Sequence, residues 1–143
     1  MRARHRSSSA LSLLVFAAAL VAIGCSDTPT APTSALRDEF VLAPGASAAL
    51  SDGSGRVTFT AVTGDSRCPG DAICIQGGDA IVRIDVETSR GRRAHDLHTG
   101  SMAPVSHDDL TITLVELMPY PFSSMPFPYE AYRATLRVTR PGR

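Results

Sequence analysis

Lysine, asparagine and tryptophan are absent from this chain of 143 residues, and all 14 of its basic residues are arginine. Without lysine there can be no P-loop lysine, no Schiff-base amine and no Ser–Lys dyad. Without asparagine there is no N-glycosylation acceptor. Long stretches of helical periodicity are missing as well. So is any strand–helix–strand rhythm, which argues against a dinucleotide-binding or P-loop fold. The longest apolar segment, Ala10 to Ile23, has 14 residues and is interrupted only at Ser12. A bilayer-spanning helix needs about 20.

Charge is scarce in a particular way. The formal net charge is zero, but Arg2, Arg4 and Arg6 precede position 25, where there is no acidic residue. From Cys25 onward, 11 arginines face 14 acids, a net charge of −3. Nucleic-acid-binding modules lean basic, so no nucleic acid is expected as a partner. At 43% hydrophobic and 20% charged residues, the composition suits one globular domain and argues against wholesale disorder.

Residues 1–24 fall into the zones of an export signal, with a basic start, a short apolar segment and small residues at the end. The tetrad Ala22-Ile23-Gly24-Cys25 resembles the lipobox of bacterial lipoproteins, with Ala22 in place of the more usual Leu. The resemblance implies cleavage before Cys25, a diacylglyceryl thioether on its sulfur and an acylated amino group, and hence a membrane partner through the lipid. Two or more acyl chains anchor a protein stably, whereas one does not. Ser26, rather than Asp, follows the cysteine, which in many Gram-negative bacteria favours the outer membrane, with the domain facing the periplasm or the exterior. Residues 26–35, SDTPTAPTSA, have almost nothing to bury and read as an extended tether.

The remaining segment, 36–143, reads as short strands separated by turns. Ala80, Val82, Ile84 and Val86 alternate with Arg83, Asp85 and Glu87. Leu110, Ile112 and Leu114 alternate with Thr111 and Thr113, and Tyr132, Ala134, Leu136 and Val138 alternate with Arg133, Thr135, Arg137 and Thr139. Each pattern predicts a strand with one buried and one wet face. Weaker strand signals cover residues 39–42, 46–50, 56–62 and 93–99. Pro44-Gly45, the run from Ser51 to Gly55 and the run from Ser89 to Arg92 supply the breaks. The expectation is an all-β domain, an antiparallel β-sandwich of about seven strands, Ig-like in general architecture.

With Cys25 assigned to lipid, Cys68 and Cys74 remain. An even pair in an exported domain points to a disulfide. Closing a seven-residue loop stabilises by about 2.4 kcal/mol on the chain-entropy estimate. A zinc site joining both thiolates to His95 or His98 is the alternative, at a spacing unlike the usual CxxC. The stretch from Asp65 to Ala80, DSRCPGDAICIQGGDA, also resembles the DSRCP…C-x-W-x-G-x-A motif of a family of uncharacterised bacterial secreted proteins and lipoproteins with a small β-rich domain. The likeness extends to Leu117, Pro119 and Pro121 ahead of a tyrosine-containing last strand, and covers roughly residues 40–138. Gln76 stands where that motif has Trp.

Several groups are candidates for function. Asp65, Asp71 and Asp79 lie in or beside the cysteine loop and, with carbonyls, could hold Ca²⁺. The simpler reading has Asp65 accepting backbone N–H bonds with Arg67 lying across it. His95 and His98, three apart in a strand, face opposite sides. His107, Asp108 and Asp109 read as a solvated turn. Arg90, Arg92 and Arg93 sit at a hairpin tip, where guanidinium groups could grip lipid or glycan phosphates. Residues 118–130, MPYPFSSMPFPYE, form a proline-stiffened loop whose Tyr120, Phe122, Met125, Phe127 and Tyr129 are candidates for a partner surface or for a cap on the sandwich. No nucleophile elbow is present, no residue stands out as catalytic, and no cofactor is implied. The expected function is binding or structural, toward a protein or glycan, with a metal-binding envelope protein as the alternative and a hydrolase as the remote one.

Overall fold

The computed structural model describes residues 36–141; the expected export signal over 1–24, the expected lipidation at Cys25 and the expected tether over 26–35 lie outside the described residues. Eight strands run in chain order: β1 (Leu36–Leu42), β2 (Ser47–Ala49), β3 (Gly55–Asp65), β4 (Ala80–Thr88), β5 (Gly91–His98), β6 (Val105–His107), β7 (Leu110–Met118) and β8 (Arg133–Arg140). They form two antiparallel four-stranded sheets, ordered β1-β8-β7-β6 and β2-β3-β4-β5. The chain therefore changes sheet twice, after β1 and after β5.

The alternating strands build the core. Val57 and Phe59 of β3, Val82, Ile84 and Val86 of β4, Ile112 and Leu114 of β7, and Leu136 and Val138 of β8 are all buried between the sheets. Burying their side chains is the main stabilising term, on the order of 1.5–3 kcal/mol each relative to exposure. Where the two-residue period breaks, the sheet breaks with it. The register slips between Leu114 and Glu116, so Val115 is the extra residue and Leu117, three positions after Leu114, is again buried. β3 slips twice, between Phe59 and Ala61 and between Val62 and Gly64.

The expected β-sandwich is present with eight strands rather than about seven. The added strand is β6, and at three residues it is too short to display a period. β1 begins at Leu36 rather than at 39, and β3 continues to Asp65. β8 starts at Arg133, because Tyr129–Ala131 form a 3-10 turn that delivers Tyr132 to the core.

The two ends of the sandwich follow from the register. Leu36 pairs with Arg140 at one end, while Leu42 pairs with Ala134, Met118 with Arg133 and Asp65 with Ala80 at the other.

Candidate functional site

The end that carries Asp65 and Met118 is assembled from two loops, residues 66–79 and 119–132. The first begins as a continuation of the β3–β4 ladder: Ser66 N–H donates to Asp79 C=O at 2.7 Å and Cys68 N–H to Gly77 C=O at 2.9 Å. Gly78 turns the chain between them at φ +67°, and a Cβ there would lie 1.8 Å from Ser66 O, so only glycine fits. Beyond this neck the Cys68–Cys74 disulfide closes the tip, with Cα atoms 6.0 Å apart.

Arg67 ties this loop to its neighbour. Its guanidinium grips Asp65 in a two-point pair (Nε to Oδ1 2.9 Å, Nη2 to Oδ2 2.6 Å), and the Arg67 backbone N–H donates to Oδ1 at 3.1 Å. Its remaining N–H groups reach Leu117 C=O at 2.7 Å and Pro119 C=O at 3.0 Å, and its Cζ lies 5.4 Å from the Tyr120 ring centre. Tyr132 Oη donates to Asp65 Oδ2 at 2.8 Å. Burial raises the Asp65 pKa, but the Arg67 and Tyr132 hydrogen bonds outweigh it and leave the carboxyl below its usual range. Burial and the Asp65 carboxylate push the Tyr132 phenol up to about 12.

Further out, Gly70 N–H donates to Pro121 C=O at 2.9 Å, and the Phe122 ring lies so close to Gly70 that a Cβ there would meet it at 2.9 Å. Asp71 accepts from Ser123 N–H at 2.7 Å and Ser124 N–H at 3.1 Å. Those donors hold its pKa down at about 2. The two loops thus form a single stitched unit.

What that unit presents to solvent is apolar. Ile73 and Ile75, flanking Cys74, are 104% and 105% exposed. Met125 is largely exposed, and Met118, Tyr120, Phe122 and Tyr129 are about half exposed. Phe127 differs from its neighbours: it packs edge-on against Tyr132 and joins the core, so it is the cap of the sandwich. Tyr129 Oη accepts Val62 N–H at 3.0 Å, satisfying the open edge of β3. The proline-rich passage is therefore both cap and surface. The isoleucines escaped sequence reasoning because their type says core. The signal available was their position, between turn glycines in a loop too short to reach the core.

The other candidates separate. Asp65, Asp71 and Asp79 do not share a ligand position. Asp79 accepts from Thr99 and Gly100 and meets His98 Nδ1 at 2.6 Å. Among the described residues no three His, Cys, Asp or Glu side chains converge as a metal-binding group. His95 and His98 lie on opposite faces of β5. His95 Nε2 instead lies 3.2 Å from His107 Nδ1, across the gap between the edges of the two sheets. The solvated-turn reading of His107 is corrected: it is a buried residue ending β6, and only Asp108 and Asp109 form the turn. Burial, then His107 and Arg93, lower the His95 pKa.

The three arginines line one small cleft with Ser106, His107 and Asp108, but their charges go to different partners, and Arg92 and Arg93, adjacent in β5, point oppositely. Arg92 pairs with Asp85 at 2.6 Å, Arg93 lies on the His95 side, and Arg90 approaches Asp108 at 4.0 Å. They belong to the polar end, together with Arg140, which bridges Asp52 and Asp109. Shallow clefts lined by Ser54, Thr88, Arg90 and Asp109 also lie at that end.

Comparison with known families, curated proteins and solved structures finds no significant match to this chain.

Proposed function

We propose that this is a lipid-anchored protein of the bacterial envelope, exported, attached through Cys25 and sorted to the outer membrane. In this reading its β-sandwich is a non-catalytic binding module whose contact surface is the two-loop end. The observation that supports this most is the full exposure of Ile73 and Ile75 on a loop that everything around them holds in place. Two bare isoleucines gain free energy only when something covers them. The disulfide, the Arg67–Asp65 pair and the Asp71 bonds keep the surface preformed, which lowers the ordering cost of binding.

Both sheets and the core lie between Leu36 and Arg140, so residues 26–143 carry the folded unit. Purified 26–143 is expected to co-sediment with the isolated envelope fraction of its bacterium. Ile73→Ser with Ile75→Ser should weaken that retention about tenfold or more, since each covered isoleucine contributes about 1.5–3 kcal/mol. Equal retention of the double variant refutes the contact surface. Mass spectrometry of the mature N-terminus tests the anchor separately: an unmodified Cys25 refutes it.

A further inference from the structure

We infer that the two-loop end is a membrane-inserting tip that seats shallowly in the bilayer holding the Cys25 anchor; this rests on the reading of that end as the contact surface. Shape is the first argument. Ile73 and Ile75 project from a closed loop, and a protein partner would need a matching pocket to cover them, whereas fluid lipid needs none. Composition is the second. Residues 118–129 contain no charged side chain, residues 69–78 contain only Asp71, and the next charge in the proline-rich loop is Glu130, in the 3-10 turn at its base. Protein contact surfaces are enriched in arginine, whereas here Arg67 is buried and consumed by Asp65, and the exposed Arg133 at the base is turned onto the Glu130 and Tyr132 carbonyls. Half-exposed Tyr120 and Tyr129 have the amphipathic rings that suit the headgroup level.

Asp71 sets the depth. Its bonds to Ser123 and Ser124 keep it ionised, and a carboxylate is excluded from hydrocarbon, so only the residues beyond it enter. No basic cluster lies at this end, so insertion should depend on neither anionic lipid nor salt.

Reach is the third argument. The chain enters the sandwich at Leu36, at the end opposite the tip. β1 spans about 23 Å at strand spacing. The 11 residues from Cys25 to Ala35 extend to about 36–40 Å. The tether is therefore longer than the strand it must run back along, and the domain can turn its tip to the same bilayer. Tethering makes that contact intramolecular, so even weak insertion is populated.

The chain contains no tryptophan, so one introduced indole reports alone. The full lipidated chain carrying Ile75→Trp is reconstituted in phosphatidylcholine vesicles with and without brominated acyl chains, beside a second chain carrying Ser89→Trp at the β4–β5 turn. Both positions are exposed, so neither substitution disturbs packing. The expected result is blue-shifted emission from Trp at 75 that brominated lipid quenches, unchanged by anionic lipid or high salt, while Trp at 89 stays water-like and unquenched. Equal quenching at both positions overturns a seated tip. Water-like, unquenched emission at 75 overturns the inference, whatever Trp at 89 shows. If the isoleucines are still needed for envelope retention in that event, the tip docks a protein and the contact surface survives; if they are not, both readings fail.

Discussion

The two ends of the sandwich solve the same problem in opposite ways. At the polar end, tight turns close the strands and charges pair in the open, Arg92 with Asp85 and Arg90 near Asp108, with Arg140 half-buried between Asp52 and Asp109. The Arg92 and Arg90 pairs are exposed on the arginine side and contribute about 0–1 kcal/mol each. At the other end one ion pair is buried, with Arg67 and Asp65 side chains only 6% and 14% exposed. The apolar residues there are left outside. Charge has moved in and hydrophobicity out, the reverse of what folding alone favours. A buried pair is weak evidence for stability, but this one joins β3, the disulfide loop and the proline-rich loop at a single point. It holds an apolar surface in shape.

The contrast is sharpest in arginine substitutions. Arg67→Ala strands the Asp65 carboxylate and the Leu117 and Pro119 carbonyls, and should lower unfolding free energy by about 3 kcal/mol in urea titration. Arg92→Gln at the polar end, where the side chain is 60% exposed, should cost about 1 kcal/mol or less. Similar losses for both would erase the distinction.

Removing the clamp comes next. Cys68→Ala with Cys74→Ala should cost up to about 2.4 kcal/mol. Because the neck is held independently by the Ser66–Asp79 and Cys68–Gly77 backbone bonds, the sandwich should still fold cooperatively, with faster amide exchange confined to the residues around the disulfide. Exchange spread across β3 and β4 would mean that the disulfide supports the whole fold.

The smallest effect is a pH signature. Tyr132 ionises in the folded state only at about 12, above the unfolded value of about 10. Its contribution is therefore fully present below about pH 10 and is lost as pH rises toward 12. Phenolate absorbance should show the Tyr132 titration at about 12, and Asp65→Asn should bring it back toward 10. A late tyrosine that ignores Asp65→Asn would assign the shift to burial alone.

Much of the sandwich was readable from alternation, and the physical reason is plain. Strands such as β4 and β8 bury every second residue, so Val82, Ile84, Leu136 and Val138 announce both the strand and the core. β6 escaped because three residues carry no period, and with it went His107, whose burial depends on β6 meeting the edge of the other sheet. The disulfide was readable from an even cysteine pair in a domain expected to be exported, and the Asp65–Arg67 contact from their nearness at the loop entry. The reach of Arg67 to Leu117 and Pro119, 50 residues or more along the chain, was not, because it depends on the register that lays β7 beside the loop. Ile73 and Ile75 were hidden by their own chemistry, since an apolar side chain signals burial unless its loop is too short and too tightly closed to deliver it.

The exposed isoleucines carry the central claim, and the envelope retention of Ile73→Ser with Ile75→Ser tests it most directly, with thermal unfolding measured on the same samples. Because both side chains contact mainly solvent, unfolding should occur at essentially the wild-type temperature while retention falls about tenfold or more. Retention equal to wild type, with the fold intact, would contradict the account.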